Sequence, residues 1–371
     1  MNHAVALSTR RSGTPRRTAE QRRPIQIMIV DDSLTVRTAF ARMIDVEHDI
    51  VVAHTTSSAE LALRQLDQID VDVVLLDLEM PGMGGLAALP KLLAAQNNLQ
   101  ICVISSLTGR GAEPTLQALA MGAADTMLKP LPGGFDDDYK KALIEKIRAL
   151  GRAQPRTSAL RRKRDVSLST TLPPLVKRPE IIAIGASTGG IHATCQMLHA
   201  LPAKIDMPIV ITQHLPPSFM ALFAKQLTIA ATRPAQVAEH GMTLKSGNIY
   251  VAPGNGHLTI KRKDDELVVR ITAEICANNC LPSVDPMFAS IADATQGGAI
   301  GIVMSGMGKD GADGAACLAA HCSPLLVQDR DSAAVWGMPG AVANRGYAAA
   351  VLPPVAIARA VVDLLDRTPW K

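Results

Sequence analysis

The sequence predicts an α/β protein with two domains, each built around a mainly parallel sheet. Three observations support this. The 371 residues exceed the size of one typical domain and suit two. Short β-type runs alternate with amphipathic helical patterns on both sides of residues 151–179. That segment combines Pro, Ser, Thr and basic residues without a sustained apolar period, as interdomain linkers do.

The N-terminal half contains five predicted strands, which alternate with helical patterns. The strands are predicted at Ile25–Val30, Asp49–Ala53, Val71–Leu76, Ile101–Ile104 and Asp125–Leu128. Apolar residues at helical spacing predict one buried helix face after the first strand, formed by Val36, Ala39, Phe40, Met43 and Ile44. Five β/α units imply a doubly wound parallel sheet, in which functional groups gather at the carboxyl ends of the strands.

The C-terminal half repeats this alternation but has a different middle. Its predicted α/β elements are strands at Ile181–Ile184, Ile209–Thr212, Ala299–Met304 and Leu325–Val327, a helix with Ile191, Cys195, Leu198 and Leu201 on one face, and a helix from Asp285. The segment from Gly247 to Thr272 predicts consecutive antiparallel strands, with Asp264-Asp265 in the last turn. We therefore expect an α/β domain with a β-hairpin insertion.

Composition places the chain among ordinary globular proteins. Hydrophobic residues make up 47% and charged residues 19%, and no apolar run approaches the ~18 residues that a membrane span needs. The first residues lack the long apolar core of a secretory signal, so we expect a cytoplasmic protein without membrane insertion. The six cysteines form no C-x-x-C pair, which favours reduced thiols. Cys276 and Cys280 remain weaker candidates for metal ligands because no matching His/Cys pair stands at zinc-site spacing.

The positive charge is confined to two segments. Residues 1–24 and 151–179 together carry 14 Lys and Arg against two acidic residues, a net +12, so the rest of the chain carries −8 of the total +4. Net acidic folded domains lack the basic face that DNA binding requires, so we predict no nucleic-acid partner. We interpret both basic segments as solvated and flexible.

Acidic residues and one lysine end several of the N-terminal strands. Asp31 and Asp32 end the first strand, Asp77 the third and Lys129 the fifth, while Ser105 ends the fourth. Three converging carboxylates repel one another unless a hard cation such as Mg²⁺ lies among them. A carboxylate beside Mg²⁺ can attack a phosphoryl group, whose oxygens Lys129 and Ser105 would bind. The alternative, a helix-capping Asp pair and a surface lysine, does not explain four coincident strand ends.

The phrases VDDS, LLDLEMPGM, ISSLT and MLKP carry a resemblance to the receiver domains of two-component response regulators, over about residues 25–150. The resemblance implies a flavodoxin-like fold with Asp77 as the phosphoacceptor. It also implies a Mg²⁺ site formed by Asp31, Asp32, Asp77 and the backbone carbonyl of Glu79. One departure is Gly84, which stands where such receivers usually have Asp. We expect this change to affect the rigidity of the loop more than its activity.

The segment Gly185–Gly190, GASTGG, follows an apolar strand and opens a helix. It permits either a phosphate-binding loop or a turn that exposes Ser187 as a nucleophile. A serine nucleophile needs an imidazole and a carboxylate nearby. His214 directly follows a central predicted strand, and Asp310 lies in a Gly-rich loop after another.

Each of these three residues has a simpler alternative when taken alone. Ser187 and Asp310 could cap helices, and His214 could be a hydrogen-bonded core residue. Their coincidence at successive strand ends favours a Ser-His-Asp hydrolase. A Rossmann-type nucleotide enzyme is disfavoured because the next strand ends in His214 rather than in an acidic residue.

A second resemblance covers about residues 180–367. The phrases IGASTGG, ITQHLPPSF, YVAPG, SVDPMF, MSGMGKDGADG and WGMPGAV resemble the protein-glutamate methylesterase domain of chemotaxis. The resemblance implies a Rossmann-like domain that needs no cofactor for ester hydrolysis. The implied site residues are the triad Ser187, His214 and Asp310, assisted by Thr188 and the backbone around Met307. His257, in PGNGHL, matches a family phrase without a role that the sequence explains.

Together the two resemblances identify the chain as a member of the chemotaxis methylesterase response regulators, the CheB family. The expected parts are a basic flexible extension (1–24), a receiver domain (25–150), a basic linker (151–179) and a methylesterase domain (180–371). The family implies hydrolysis of glutamate methyl esters and deamidation of glutamine on cytoplasmic helices of methyl-accepting chemoreceptors. A chemotaxis histidine kinase would phosphorylate Asp77 and thereby loosen a receiver that covers the hydrolase site.

Two competing functions remain. A receiver with a DNA-binding output is disfavoured because the second half has no terminal helix-turn-helix pattern. A catalytically silent signalling scaffold stays open at this point. We also hypothesise that the Arg-rich linker around Arg161–Arg164 permits reorientation of the two domains.

Overall fold

The structure is a computed structural model. It describes residues 23–105, 111–130, 134–152, 172, 175–274, 276 and 278–366. Nearly all of the predicted basic extension and most of the predicted linker, including Arg161–Arg164, lie outside these residues. Among the helices of the described part, none combines the length and apolar character that crossing a bilayer requires.

The N-terminal sheet has five parallel strands in the order β2-β1-β3-β4-β5. The strands are β1 Ile25–Val30, β2 Ile50–Thr56, β3 Val73–Asp77, β4 Gln100–Ser105 and β5 Asp125–Leu128. The helices are α1 Leu34–Ile44, α2 Ala59–Leu66, α3 Gly84–Ala95, α4 Ala112–Met121 and α5 Asp137–Gly151. This confirms the predicted doubly wound fold. All five residues of β3 are buried because helices cover both faces of a parallel sheet.

The predicted buried face of α1 is only partly correct. Phe40 and Ile44 are buried, whereas Val36, Ala39 and Met43 are half-buried. The helix begins after Ser33, whose hydroxyl accepts a hydrogen bond from the backbone N–H of Val36 and so caps the first turn.

The C-terminal sheet has seven strands in the order β14-β13-β12-β6-β7-β9-β8, and every neighbouring pair is parallel. Its strands are β6 Ile181–Ala186, β7 Ile209–Gln213, β8 Ala235–Val237, β9 Ile249–Val251, β12 Ala299–Val303, β13 Leu325–Gln328 and β14 Ala350–Leu352. The hairpin is β10 His257–Lys263 with β11 Glu266–Thr272. The helices are α6 Gly190–Ala200, α7 Pro217–Ala231, α8 Val284–Thr295, α9 Ala312–Ala320, α10 Met338–Asn344 and α11 Pro354–Asp366.

One sequence prediction for the C-terminal domain is wrong. The segment from Gly247 was expected to begin a run of antiparallel strands, but β9 pairs in parallel with β7 and β8. The three residues of β9 are all buried, as a strand inside a parallel sheet requires, and alternation over so short a run does not reveal its direction. The predicted hairpin is confirmed, with Asp264 at φ 53° in its turn.

The two domains pack directly against each other. Helix α4 of the N-terminal domain lies against α6 and α7 of the C-terminal domain, and apolar residues of both domains belong to one buried cluster. The N-terminal end of β5 therefore lies close to the turn that follows β6, where Ser187 stands.

Candidate active site and phosphoacceptor site

The turn after β6 holds Ser187 in a fixed position. The backbone N–H of Ser187 donates to the carbonyl of Ser305 over 3.0 Å, and Gln213 Nε2 donates to the Ser187 carbonyl over 2.9 Å. Gly189 has φ 75°, and a Cβ there would lie 2.7 Å from Ser305 Oγ. The glycines of GASTGG are therefore needed so that α6 can start immediately beside the neighbouring loop.

His214 directly follows β7, the strand that pairs with β6 ahead of Ser187. The register of β6 with β7 pairs Ala186 with Gln213, so Ser187 and His214 each follow the last paired residue. The backbone N–H of His214 donates to the Ala186 carbonyl over 3.1 Å, and His214 Nε2 lies 2.7 Å from Asp310 Oδ2. Because an ionised carboxylate can only accept, Nε2 carries the proton in this pair. Nδ1 is then the basic nitrogen of the ring.

Asp310 is buried and accepts hydrogen bonds from six groups. Oδ2 accepts from His214 Nε2 and from the backbone of Val284, while Oδ1 accepts from Asn278 Nδ2, Ser283 Oγ and the backbones of Asp285 and Gly311. Burial raises the pKa of Asp310, but the bonds from His214 and the other donors outweigh burial and hold the pKa below its ordinary value. The carboxylate is therefore ionised and oriented in the free enzyme.

His257 supports this arrangement through its contact with Ser283. Its Nδ1 accepts from the backbone N–H of Ser283 over 3.0 Å, and its Nε2 donates to the Glu274 carbonyl over 2.8 Å. Both ring nitrogens are thus used by a neutral imidazole, which fixes Ser283 where its hydroxyl donates to Asp310. The structure gives His257 a positioning role that the sequence did not explain.

Helices α8 and α9 cap each other at the site. Asp310, which precedes α9, accepts the backbone N–H of Val284 at the start of α8. Asp285, in the first turn of α8, accepts the backbone N–H groups of Asp313 and Gly314 over 3.0 and 2.8 Å. Burial, with a smaller contribution from Asp310, raises the pKa of Asp285 to about 6. Sequence reasoning missed Asp285 because an acidic residue at a helix start is also an ordinary cap.

The loop around Met307 runs past Ser187. A Cβ on Gly306 would lie 3.0 Å from Ser187 Cβ, and the Met307 side chain is exposed. The loop is anchored by the backbone N–H groups of Gly337 and Met338, which both donate to the Gly306 carbonyl. The segment WGMPG therefore supports the loop beside Ser187.

Thr188 connects the site to the N-terminal domain. Its Oγ1 donates to Asp125 Oδ2 over 2.6 Å, and Lys146 Nζ lies 2.6 Å from the same oxygen. The backbone N–H of Gly189 donates to the Ala124 carbonyl over 2.6 Å. The start of β5 thus binds the two residues that follow Ser187, a contact that the sequence alone did not reveal.

The N-terminal domain brings its predicted strand-end residues together. Lys129 Nζ lies 2.6 Å from Asp77 Oδ2 and 2.9 Å from Asp31 Oδ2. Burial raises the pKa of Asp31, and Lys129 only partly offsets this effect. Burial also lowers the pKa of Lys129, but its bonds to Asp77 and Asp31 outweigh burial and the net pKa is raised. The lysine is therefore charged and offsets only part of the negative charge of the carboxylate cluster.

The same cluster has the ligand chemistry of a hard-cation site. One carboxylate oxygen from each of Asp31, Asp32 and Asp77 lies within 4.8 Å of the others, and oxygen donors of this kind suit Mg²⁺. The backbone N–H of Glu79 donates to Asp77 Oδ1 over 3.0 Å. Ser105 is buried, and within the described residues its hydroxyl has no hydrogen-bond partner. The residues present therefore fit a bound divalent cation.

The Gly84 departure lies in a loop that the structure ties down. Glu60 Oε1 accepts the backbone N–H of Met83 over 2.8 Å, and Gly84 has φ 69°, which glycine adopts without strain. A Cβ on Gly85 would lie 2.1 Å from the Asp77 carbonyl oxygen, so glycine is needed there. Glu60, which the sequence analysis did not consider, thus holds the loop after the candidate phosphoacceptor.

Fold and site together define a class of protein, a receiver domain joined to an α/β hydrolase domain. The family model of the response regulator receiver domain matches residues 27–134, and that of CheB methylesterase matches residues 182–361. These two matches, together with the curated relatives described next, show that the chain belongs to the CheB methylesterase family.

Curated relatives match nearly the whole chain. A protein-glutamate methylesterase/protein-glutamine glutaminase of Rhodopseudomonas palustris (strain BisB5) is 39% identical over 374 residues, covering 94% of this chain and 96% of the relative. Protein-glutamate methylesterase/protein-glutamine glutaminase 2 of Caulobacter vibrioides is 42% identical over 340 residues, covering 89% and 95%. The crystal structure of the Thermotoga maritima CheB methylesterase catalytic domain is 32% identical, covers 51% of this chain and 100% of that chain, and has a TM-score of 0.49.

Proposed function

We propose that this protein is a phosphorylation-regulated protein-glutamate methylesterase. It hydrolyses glutamate γ-methyl esters, and deamidates glutamine, on cytoplasmic helices of methyl-accepting chemoreceptors during chemotactic adaptation. The observation that carries this function is the pair of His214 Nε2 and Asp310 Oδ2, 2.7 Å apart beside the Ser187 turn. Membership of the CheB family supports the substrate. The cytoplasm is the compartment in which such receptor helices and a histidine kinase would meet it.

Ser187, His214 and Asp310 form the proposed catalytic triad. Nδ1 of His214 takes the Ser187 proton as the serine oxygen attacks the ester carbonyl carbon, while Asp310 holds the ring through Nε2. His214 then gives the proton to the departing methoxide, and methanol leaves. Water, deprotonated by His214, hydrolyses the acyl-enzyme to free glutamate and restores Ser187. With a glutamine substrate the same steps release ammonia.

Thr188 and the backbone around Met307 are proposed to assist at the reacting carbonyl. Both directly adjoin Ser187 in chain or in space. Because the Thr188 hydroxyl is bound to Asp125 in the closed arrangement, it becomes available to substrate only when the receiver withdraws. The receiver that covers the site would therefore act in two ways, by blocking access and by holding the Thr188 hydroxyl.

Asp77 is the proposed phosphoacceptor, with a chemotaxis histidine kinase as donor. Asp31, Asp32, Asp77 and the backbone carbonyl of Glu79 would hold Mg²⁺, which supplies neutralisation of the phosphoryl oxygens when bound. Lys129 and Ser105 would each bind one oxygen of the phosphoryl group. The unpartnered hydroxyl of Ser105, among the described residues, supports its role as a donor to a group that arrives.

The regulatory step is proposed to run along β5. Asp125 at its start binds Thr188, and Lys129 follows its last residue and binds Asp77. Phosphorylation of Asp77 changes the group that Lys129 binds. Because Asp125 and Lys129 lie at opposite ends of β5, this strand connects the phosphoacceptor to the hydrolase site. On this proposal residues 25–150 form the receiver and 180–371 the methylesterase, with 1–24 as a flexible extension and 151–179 as the linker. Neither folded domain is proposed to bind nucleic acid or to insert into a membrane.

Methanol release from methylated receptor tests the assignments together. Wild type, Ser187→Ala and Asp77→Asn are compared with and without a small phosphodonor. We expect Ser187→Ala to lose turnover and still become phosphorylated, and Asp77→Asn to keep basal turnover and lose stimulation. Full turnover in Ser187→Ala would refute the nucleophile, and normal stimulation of Asp77→Asn would refute the phosphoacceptor.

A further inference from the structure

A free thiol lies at the edge of the proposed triad. Cys280 is half-buried, and its backbone N–H donates to Asn278 Oδ1 over 3.0 Å. Asn278 in turn donates through Nδ2 to Asp310 Oδ1 over 2.7 Å. Cys280 is therefore held by the same short segment that fixes the triad carboxylate, although the ester chemistry does not use it.

The thiol is close enough to share a ligand with two triad members. One ring nitrogen of His214, Cys280 Sγ and one carboxylate oxygen of Asp310 all lie within 4.8 Å of one another. Nitrogen, sulfur and oxygen in this combination are the ligands that Zn²⁺ prefers, whereas Mg²⁺ takes oxygen ligands. The cluster in the N-terminal domain, with oxygen ligands only, has the opposite preference.

The electrostatic surroundings of Cys280 favour a cation. Asp310 and Asp285 both act electrostatically on Cys280. These two aspartates attract a divalent cation, which can displace the proton of the thiol. Asp310 is already ionised, and His214 is partly open to solvent, which gives a metal ion a route of entry.

The required movement is small. Tetrahedral zinc with ligand distances of about 2.0–2.3 Å places neighbouring ligand atoms roughly 3.3–3.7 Å apart. His214 Nε2 and Asp310 Oδ2 are 2.7 Å apart, so they would separate by roughly half an ångström while Cys280 moves inward. A fourth position would remain for water.

We propose that His214, Asp310 and Cys280 form an inhibitory site for a thiophilic divalent cation such as Zn²⁺. The ion would bind the lone pair of His214 Nε2 in place of the hydrogen bond to Asp310, while the ring proton moves to Nδ1 and the Cys280 thiol releases its proton to solvent. Because Nδ1 then carries a proton, His214 cannot take the Ser187 proton. Zn²⁺ therefore blocks the hydrolase directly, independently of the receiver. The proposal rests on the proposed function, because inhibition is measured on ester hydrolysis.

Metal titration of the full-length protein tests the proposal. Methanol release is measured in thiol-free and chelator-free buffer with added Zn²⁺, using wild type, Cys280→Ser and Cys322→Ser. We expect micromolar Zn²⁺ to inhibit wild type and Cys322→Ser, with recovery on adding a chelator. Cys280→Ser should keep basal turnover and need at least about tenfold more Zn²⁺ for the same inhibition. Equal inhibition of wild type and Cys280→Ser would overturn the site.

A binding measurement separates this site from the function on which it rests. Co²⁺ bound by a thiolate gives a charge-transfer absorption in the near ultraviolet, which Co²⁺ on the Asp31, Asp32 and Asp77 oxygens does not give. We expect the band in wild type, in Ser187→Ala and in Cys322→Ser, and its loss in Cys280→Ser. An identical band in Cys280→Ser, or no band in wild type, refutes the metal site. A normal band in wild-type protein that releases no methanol would instead refute the esterase.

Discussion

The two strand-end sites of this protein use buried aspartates in opposite ways. Asp310 accepts six hydrogen bonds, from one imidazole, two side chains and three backbone N–H groups. Asp31 and Asp77 instead share the single cation of Lys129, and the nearby Ser105 hydroxyl is unpartnered among the described residues. The Asp310 carboxylate is thus fully hydrogen-bonded before substrate arrives. The receiver site has unused bonding capacity, which suits groups that arrive later, a metal ion and a phosphoryl group.

On the proposed function, the contrast also suggests how one site can control the other. A carboxylate that is already fully hydrogen-bonded does not have to change its partners, so covering the site and holding Thr188 are enough to control it. An incompletely bonded site can change its partners, which is what a switch requires. Strand β5 joins the two, with Asp125 on Thr188 at one end and Lys129 on Asp77 just beyond the other.

The largest expected effect comes from removing the negative charge of Asp310 in the hydrolase site. Asp310→Asn should reduce the kcat of ester hydrolysis by about 10⁴-fold, because an amide cannot hold His214 in the tautomer that leaves Nδ1 basic. Methanol release measures the effect, and phosphorylation of the receiver should be unchanged. A loss of less than about tenfold would show that catalysis does not depend on the charge of the hydrogen-bonded Asp310 carboxylate.

Breaking the link between the sites should activate the enzyme. The double variant Asp125→Ala/Lys146→Met removes the acceptor of Thr188 without leaving the half-buried Lys146 unpaired. A hydrogen bond to a charged group contributes about 1.5 kcal/mol, so basal turnover without phosphodonor should rise roughly tenfold. The matched control is Glu113→Ala, which removes an exposed ion pair with Lys225 on the same interface and should change turnover less than about twofold. Unchanged basal turnover in the double variant would contradict the proposal that the hydrogen bond from Thr188 to Asp125 holds the enzyme inactive.

Two serine-to-alanine variants compare the sites in stability. Ser283→Ala removes a buried hydroxyl that donates to Asp310 over 2.7 Å and should lower the free energy of unfolding by about 1 kcal/mol or more. Ser105→Ala removes a hydroxyl without a partner in the described structure and should be neutral or slightly stabilising in the unphosphorylated protein. Urea denaturation of both variants measures the difference. Equal destabilisation would show that the receiver site is as fully bonded as the hydrolase site.

The smallest expected effect is a pH-dependent contribution of a surface ion pair. Arg148 lowers the pKa of Asp49 to about 2, with Arg148 Nη2 2.7 Å from Asp49 Oδ1. The folded pKa lies below the unfolded value, so the pair stabilises the protein above pH ~4 and this contribution is lost as pH falls towards 2.

Asp49→Asn tests this dependence. The variant should lower the free energy of unfolding near neutral pH by only about 0.5 kcal/mol, because both side chains are one-third exposed and screened by solvent. The difference from wild type should shrink with acidification in denaturant titrations. A difference that grows as pH falls would contradict the assigned sign, and Asp45→Asn serves as an exposed control.

Local sequence patterns predicted individual strands and helices and the residues at their ends. Ser187, His214, Asp31, Asp77 and Lys129 could all be proposed from sequence because each directly follows or ends an apolar run. The carboxyl ends of parallel strands meet at one edge, so position in the chain translates directly into position in the site. The direction of β9 could not be found in this way, because three buried residues carry no information about their partners.

The sequence by itself determined the N-terminal parallel sheet, four strands of the C-terminal sheet and the candidate reactive side chains at their edges, because strand periodicity and strand-end polarity are local properties. Only the tertiary structure decided how those side chains are held. Asn278, Ser283 and His257 reach Asp310 or its support across 26 to 32 residues, and Thr188 reaches Asp125 across 63. Contacts of this kind depend on how whole strands and helices pack together. A polar residue in a loop has no periodic sequence pattern, so its partner cannot be predicted from the residues around it.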